Sequence, residues 1–232
     1  ALCGEGSYVS VYDYIGSQWI IRDKWSERST CNEDTSLALS EMGEFLVIGD
    51  ENEGDNGKIS LFKYEGNDGE RLMENGIIYG KNRYGSFGST VKVSTKNGLI
   101  VAVASRRYQG SYGLAQVFLY KEDKINNEKT SSLWQQLGQD LIGKIDGAQY
   151  GWTVDLSEDG LVLAIGSGEE PVANVFYLDG YEWKTPPGPK NLASVLDEYD
   201  EVNAISLSSD GTKVAFCSNN GHAKMFYYHN YL

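Results

Sequence analysis

The sequence predicts an all-β fold built from about five copies of one four-stranded antiparallel unit. Three observations lead to this prediction. A strand pattern recurs at intervals of 51 to 63 residues, a tight turn follows the first strand of each copy, and an aromatic residue recurs in the third strand. The composition agrees, because 27 Gly and 16 Tyr with only 4 Pro favour short strands joined by turns.

The first strand of the unit alternates apolar with polar or small residues, which is the period of a half-buried strand. Four copies end in a serine, at residues 36–40, 90–94, 153–157 and 204–208. A turn with a glycine follows each of them, at Gly43, Gly98, Gly160 and Gly211. Because such turns require a positive φ, these glycines predict a hairpin between the first and second strands.

The remaining strands complete the unit. Continuous apolar runs at residues 46–49, 101–104, 163–166 and 214–217 predict a second strand buried on both faces. Third strands are predicted at residues 9–14, 59–64, 115–120, 173–178 and 223–228, with an aromatic ring in the fourth place of each, and Trp19, Trp134 and Trp183 mark fourth strands. Repeated four-stranded units of this length are typical of β-propeller blades. A β-sandwich does not repeat at this period, and a parallel β-helix has shorter coils.

The predicted blades occupy approximately residues 1–30, 31–85, 86–148, 149–198 and 199–232. The first of these intervals lacks a first strand and the last lacks a fourth strand, so we expect incomplete terminal blades and a chain that is part of a longer propeller. A compact five-bladed ring with irregular ends is the alternative. The polar residues 126–132 are interpreted as an insertion that lengthens one repeat.

Charge and composition narrow the possible partners. The net charge of −13 repels phosphate backbones, which argues against nucleic acid. No apolar run approaches the roughly 20 residues of a transmembrane helix. Three scattered cysteines, Cys3, Cys31 and Cys217, are too few for a disulfide framework, and either one bridge or three free thiols remain open. Phosphate-binding loops, dinucleotide fingerprints and nucleophile elbows are missing from the sequence.

Short motifs resemble the FG-GAP class of propeller repeats, which form the integrin α head and occur in many extracellular repeat proteins. The residues that carry the resemblance are Phe87-Gly88-Ser89-Thr90-Val91, Tyr150-Gly151-Trp152-Thr153-Val154 and the apolar second strands. The resemblance implies a propeller and an extracellular or organelle-lumen location. Integrin-type blades often carry a calcium loop between strands one and two, whereas those connections are short turns in this sequence.

An acidic loop between the second and third strands of one blade is the candidate metal site. Its carboxylates Asp50, Glu51, Glu53 and Asp55 are oxygen ligands of the kind that calcium prefers. A solvated polar loop is the alternative, and we favour it. No other cofactor is expected.

The equivalent loops of the next blades predict a surface for a protein partner. They contribute Arg106, Arg107, Tyr108, Tyr112, Glu169 and Glu170, a mixture of charge and aromatic rings that suits protein contacts. The tyrosines could instead cap the hydrophobic ends of the blades. Alanine substitution of Arg106, Arg107 and Tyr108 is expected to weaken partner binding and to leave folding intact.

We therefore interpret the sequence as a non-catalytic interaction or scaffold module and expect it to be a subunit of a larger assembly. A glycan-binding or carbohydrate-active propeller is the alternative. Glycosidases of this shape use paired carboxylates that face inward. The predicted first strands contain one acidic residue, Asp155, and therefore no such pair.

Overall fold

The computed structural model describes residues 2–4, 8–25, 34–64, 70–125, 128–188, 191–195 and 201–227. Tyr228, His229 and Cys31 lie outside these ranges. The described residues form five antiparallel sheets in which the strands follow one another in sequence order. This topology confirms the predicted four-stranded repeat, and each sheet is called a blade below.

Blade 1 and blade 2 contain the first seven strands. Blade 1 consists of β1 (Leu2–Gly4), β2 (Tyr8–Ile15) and β3 (Gln18–Trp25). Blade 2 consists of β4 (Thr35–Leu39), β5 (Phe45–Asp50), β6 (Lys58–Tyr64) and β7 (Glu70–Tyr79).

Blade 3 is the largest sheet. It contains β8 (Phe87–Ser94), β9 (Leu99–Ser105), β10 (Leu114–Ile125), β11 (Glu128–Gln136) and the short β12 (Leu141–Ile142), which pairs with the start of β10. One helical turn, α1 (Tyr108–Ser111), lies between β9 and β10. Residues 128–132 of the predicted insertion belong to β11 and extend a long hairpin with β10, which lengthens this repeat.

Blade 4 and blade 5 complete the described chain. Blade 4 consists of β13 (Tyr150–Leu156), β14 (Val162–Ser167), β15 (Ala173–Asp179) and β16 (Glu182–Lys184), and a short 3₁₀ helix (Leu192–Val195) follows it. Blade 5 consists of β17 (Val202–Leu207), β18 (Lys213–Ser218) and β19 (Ala223–Tyr227).

The repeated serine closes the turn after the first strand. In blade 4 the Ser157 hydroxyl donates to Asp159 Oδ1 at 2.6 Å and accepts from the Val162 amide at 2.9 Å. Ser40 accepts from the Phe45 amide, and Ser208 from the Lys213 amide, in the same way. The turn glycines all have positive φ, between 68° and 100°. The sequence signal of serine, short turn and glycine is therefore a local hydrogen-bonding device.

Ser94 is the exception among these serines. Its hydroxyl donates to the Glu158 backbone carbonyl in the turn of the next blade. The Lys96 ammonium reaches a Glu158 carboxylate oxygen in the same turn at 3.4 Å. Contacts between successive turns therefore help to set the spacing of blades 3 and 4.

Hydrophobic clusters fill the space between successive blades. Each cluster lies between the facing sides of two successive blades. The clusters include Leu46 and Phe62 between blades 1 and 2, Val91 and Val101 between blades 2 and 3, Val154 and Ile165 between blades 3 and 4, and Val202 and Phe216 between blades 4 and 5. All seven residues of β9 are buried, as predicted for a strand between neighbouring blades.

The recurring aromatic ring of the third strand is not buried in every blade. Phe62 is 2% exposed and Phe118 is 7% exposed, and both fill the space between blades. Tyr12 of blade 1 is 36% exposed, and it shares the open face of that blade with Tyr14 and Trp19. The reason is that blade 2 packs on the other face, through Val9 and Val11.

Candidate interaction rim

Connections between strands two and three lie together at one end of the blades. They are residues 51–57 in blade 2, residues 106–113 in blade 3 and residues 168–172 in blade 4. Each forms backbone hydrogen bonds with a linker that enters a first strand. The bonds are Tyr84 N to Asp55 O for the blade 2 loop, Arg107 N to Gly85 O and Gln149 N to Ser111 O for the blade 3 loop, and Glu169 N to Ala148 O for the blade 4 loop. These loops and linkers, residues 51–57, 80–86, 106–113, 143–149 and 168–172, are called the rim.

A Phe-Gly pair fastens blade 3 to blade 2 beneath the rim. Phe87 forms a parallel bridge with Gly57, and the Phe87 amide donates to the Asn56 carbonyl at 3.2 Å. A Cβ atom on Gly57, whose φ is +77°, would lie 2.2 Å from the Phe87 carbonyl oxygen. A Cβ on Gly88 would lie 2.5 Å from the Lys58 carbonyl oxygen. Glycine is therefore required wherever the two backbones cross.

A Tyr-Gly pair repeats this arrangement between blades 3 and 4. Tyr150 bridges Gly113, and the Tyr150 amide donates to the Tyr112 carbonyl at 3.1 Å. A Cβ on Gly113 would lie 2.1 Å from the Tyr150 carbonyl oxygen. The two motifs that carried the sequence resemblance thus have one structural role, because each joins a first strand to the preceding blade.

Arg106 connects three blades from the centre of the rim. One of its terminal nitrogens lies 2.5 Å from Glu51 Oε1 and 3.4 Å from Asp34 Oδ1, both on blade 2. Its guanidinium carbon lies 5.1 Å from the ring centre of Trp152 on blade 4. The Glu51 side chain is 1% exposed and that of Arg106 is 19% exposed. Arg106 is therefore part of the packing between blades, which corrects the expectation that its loss leaves folding intact.

The other predicted contacts of the same loop differ in their accessibility. Arg107 is exposed, whereas Tyr108 and Tyr112 are half-buried. Tyr108 lines a small cavity of about 80 Å³ together with Phe87 and Gln116. The half-buried Tyr108 therefore packs in part at the end of blade 3, while Arg107 is exposed on the rim. A partner contact by Tyr108 or Tyr112 stays a prediction.

The two glutamates of blade 4 lie at the outer surface of the rim. Glu169 is exposed, and its Oε1 accepts from Gln149 Nε2 at 3.0 Å. Glu170 is half-buried, and its carbonyl accepts from the Val172 amide at 2.7 Å. A partner contact by Arg107, Glu169 and Glu170 stays a prediction.

The acidic loop does not gather its carboxylates around one point. Glu51 pairs with Arg106, Glu53 lies 3.3 Å from Lys58 Nζ, and Asp55 lies 2.8 Å from Arg83 Nε. Asp50 is 3% exposed, and burial raises the pKa of its carboxyl, which also accepts from the Asn52 amide at 3.2 Å. No group of three metal-ligating side chains is found among the described residues. Calcium binding by this loop, the less favoured of the two interpretations of its sequence, stays a prediction.

Among the described residues, Lys92 and Asp155 form an ion pair between the first strands of blades 3 and 4. Lys92 Nζ of β8 lies 3.6 Å from Asp155 Oδ1 of β13, and Asp155 Oδ2 accepts from the Leu207 amide of β17 at 2.7 Å. Both carboxylate oxygens of Asp155 are thus engaged in joining blades 3, 4 and 5.

Sequence reasoning missed a larger cavity between blades 3 and 4. Its volume is about 480 Å³, and the rim residues Gly143, Ala148 and Val172 are part of its lining, so it opens at the rim. Its apolar lining residues are Leu141, Ile142, Ile145, Ala148, Val172 and Phe176. At one wall the buried Tyr150 hydroxyl donates to Asn174 Oδ1 at 2.9 Å, and burial raises the pKa of that hydroxyl. The short loop at residues 168–172 is the sequence feature that could have indicated this cavity.

Two other candidate features have limited scope. Cys217 has a free thiol, and the side chains of Cys3 and Cys31 lie outside the described part of the chain. His222 is exposed, and its amide donates to Ser218 Oγ at 3.3 Å. In the described residues, no helix has the length and apolar character needed to cross a membrane.

Comparison with known proteins identifies the architecture. No protein-family model matches the chain, and no curated protein matches it significantly in sequence. In structure it is similar to the β-propeller domain of Cps50 (Swd1) from Myceliophteria thermophila, with a TM-score of 0.51 and 11% identity. The match covers 84% of this chain and 50% of that one, so this chain spans about half the length of that domain. The predicted fold is confirmed: the chain folds as four-stranded blades of a β-propeller.

Proposed function

We propose that the chain is a non-catalytic, FG-GAP-type propeller module that binds a protein partner through the rim. The observation that carries the proposal is the mutual bracing of loops from three consecutive blades. Arg106 pairs with Glu51 across two blades, and Glu169 is held by Gln149 and by the Ala148 carbonyl. A braced surface loses little conformational entropy on binding, which favours recognition by preformed loops.

The FG-GAP assignment is supported by the two aromatic-glycine pairs. Phe87-Gly88 and Tyr150-Gly151 each begin a first strand and cross the backbone of the preceding blade at a glycine. Sequence motifs that are explained by one repeated contact are better evidence for a repeat family than motifs with unrelated roles. An extracellular or lumenal location follows from this resemblance and forms part of the proposal.

The chemistry of the rim favours a protein partner over a reaction. Its exposed charges are mixed in sign and include Arg83, Arg107 and Glu169, and Tyr84 is 64% exposed. Exposed arginine and tyrosine side chains are common in protein interfaces. Asp155 is engaged by Lys92 and by a backbone amide, which supports a non-catalytic role for the inner strands.

Affinity capture with matched variants tests the proposal. The rim variant R107A/E169A/E170A removes three charges that pack little, and the control variant K96A/E158A removes an ion pair from the turns at the opposite end. We expect proteins captured from the native source by the unaltered chain to be retained by the control and lost by the rim variant. Equal capture by all three would contradict the proposal. A glycan array and a turnover screen on the same samples test the carbohydrate alternative.

A further inference from the structure

The repeat places two cavities at equivalent positions, and only one of them is large. Gln116 is the third residue of β10 and Asn174 the second of β15, and each directly follows an alanine that pairs with the second strand, Ala115 with Ala104 and Ala173 with Gly166. The smaller cavity, beside Gln116, has a volume of about 80 Å³, and the larger one, beside Asn174, has about 480 Å³. The equivalent aromatic residues Phe87 and Tyr150 line the two cavities.

The difference in volume has identifiable causes. The blade 3 loop has eight residues (106–113) and supplies Tyr108, whereas the blade 4 loop has five (168–172) and supplies no aromatic residue. Gln116 also reaches Asp140 Oδ1 with its amide nitrogen at 2.7 Å, a contact that fills the space beside it. At the equivalent positions of blade 4, Asn174 is shorter than Gln116 and Val172 is smaller than Leu114. The larger cavity is open because blade 4 lacks, at these positions, side chains as large as Tyr108, Leu114 and Gln116, which fill the equivalent space in blade 3.

The charge at the mouth limits what the cavity can receive. Asp140 is one of its lining residues. Glu169 and Glu170 lie next to the lining: the Glu169 amide donates to the carbonyl of the lining residue Ala148 at 3.3 Å, and the Glu170 carbonyl accepts from the amide of the lining residue Val172 at 2.7 Å. Asp146 is exposed and follows the lining residue Ile145 in the chain. Lys144 is the one cationic lining residue. The mouth is therefore predominantly negative, and the walls are mostly aliphatic.

We propose that this cavity binds an apolar side chain of the partner, leucine or phenylalanine in size, that is flanked by lysine or arginine residues. A volume of about 480 Å³ lies within the range of about 300–1,000 Å³ that is usual for binding pockets, and it admits either side chain. The flanking basic residues complement the carboxylates at the mouth. This inference rests on the proposed function, because it identifies the chemistry of the partner at one part of the rim.

Short labelled peptides test the inference without the natural partner. The probes are the pentapeptides KKLKK, KKFKK and KKAKK, with EELEE as the charge-reversed control, and binding is measured by fluorescence anisotropy. We expect the leucine or phenylalanine peptide to bind about tenfold more tightly than the alanine peptide, because burial of the larger apolar group stabilises the complex. EELEE should bind at least tenfold more weakly than KKLKK.

A filling variant designed from the repeat locates the binding. V172L/N174Q places the blade 3 side chains at the blade 4 position and should remove the preference for leucine over alanine. The reverse exchange L114V/Q116N in blade 3 is the matched control and should leave that preference unchanged. Should the filling variant fold poorly, methyl NMR of the unaltered chain replaces it, and KKLKK should shift the Ile142, Ile145 and Val172 methyl signals more than KKAKK does.

Three results would overturn the inference: equal affinity for the leucine, phenylalanine and alanine peptides, no binding at millimolar peptide, or an unchanged preference in V172L/N174Q with methyl shifts elsewhere. These outcomes are distinguishable from failure of the proposed function. If the cavity inference alone fails, partner capture still depends on Arg107, Glu169 and Glu170.

Discussion

Removal of the Arg106 guanidinium should destabilise the protein more than the loss of any exposed charge on the rim. Arg106 has a side-chain exposure of 19%, and it is the partner of a carboxylate that is 1% exposed. Without Arg106, the Glu51 carboxylate would be buried with no positive partner among the contacts described for it. Removing one member of a buried pair usually costs about 3–5 kcal/mol, because the remaining charge is uncompensated.

The details of the pair place the expected cost of Arg106→Met near the lower end of that range, at about 3 kcal/mol. Glu51 Oε2 and Arg106 Nε are buried and have no hydrogen-bond partner among the described residues, so the two side chains share one short contact. In a domain of this size, about 3 kcal/mol corresponds to a fall of roughly 6–12 °C in melting temperature. Stacking of Arg106 on Trp152 adds a packing contribution that methionine retains in part.

Thermal and urea unfolding of a set of variants measures this effect. The matched control is Arg83→Met, which breaks the exposed pair with Asp55, 66% and 53% exposed, and should cost about 0–1 kcal/mol. The double variant R106M/E51L should recover most of the stability lost in R106M, because no charge remains buried. If R106M and R83M lose equal stability, or if the double variant is less stable than R106M, the assigned role of Arg106 is wrong.

Four further predictions follow from single contacts. Gly113→Ala should lower the free energy of unfolding, measured in urea, by about 3 kcal/mol more than Gly54→Ala does. Both glycines have positive φ, but only a Cβ on Gly113 would meet backbone, 2.1 Å from the Tyr150 carbonyl oxygen. Equal losses in the two variants would refute the close crossing of the two backbones. Tyr150→Phe should lose about 1 kcal/mol of the unfolding free energy, since the hydrogen bond to Asn174 is removed, and an unchanged midpoint would contradict that bond. Ser157→Ala should cost about 1 kcal/mol through the loss of its turn contacts, whereas Ser209→Ala, in a turn but outside the repeated serine position, should cost less. Burial raises the pKa of Asp50 above 3.8, so the native state binds this proton more tightly than the unfolded state does. The contribution of Asp50 to stability therefore falls as the pH rises above about 4. Asp50→Asn should make the melting temperature depend less on pH above that value, and an unchanged pH profile would argue against the raised pKa.

Local signals in the sequence were sufficient for the strands and turns. Ser157, Asp159 and Gly160 form their turn from neighbouring residues, and the same pattern recurs at Ser208 and Gly211. In the Ser208 turn, the serine hydroxyl donates to Asp210 at 2.5 Å and, with the Thr212 contacts, lowers the pKa of Asp210 to about 2. Such interactions depend on residues that are close in the sequence, so they can be predicted from the sequence alone.

The fourth strand of blade 2 was harder to predict from the sequence than the other strands. β7 (Glu70–Tyr79) has no tryptophan, and its register against β6 shifts between Ser60 and Phe62. A strand at the outer edge of a blade makes fewer buried contacts, so its sequence is less constrained to alternate. The tryptophan marker is found in the outer strands of blades 1, 3 and 4, at Trp19, Trp134 and Trp183, and is absent from that of blade 2.

Contacts between blades could not be predicted from residue patterns. Arg106 and Glu51 are 55 residues apart, and their pairing depends on how two loops are brought together by the crossing at Gly57. From the sequence we expected both Arg106 and Arg107 to lie on the surface, whereas in the structure Arg107 is exposed and Arg106 packs between the blades. The large cavity depends in the same way on a difference in loop length between two blades, which becomes meaningful only when the blades are superposed.

Hydrogen–deuterium exchange of the chain, alone and with a partner obtained by affinity capture, tests the central claim most directly. The account predicts added protection in the rim, at residues 106–113, 143–149 and 168–172. It predicts no change in the turns at the opposite end, residues 41–44, 95–98 and 158–161. Protection confined to those turns, or to the inner strands that carry Lys92 and Asp155, would contradict binding through the rim.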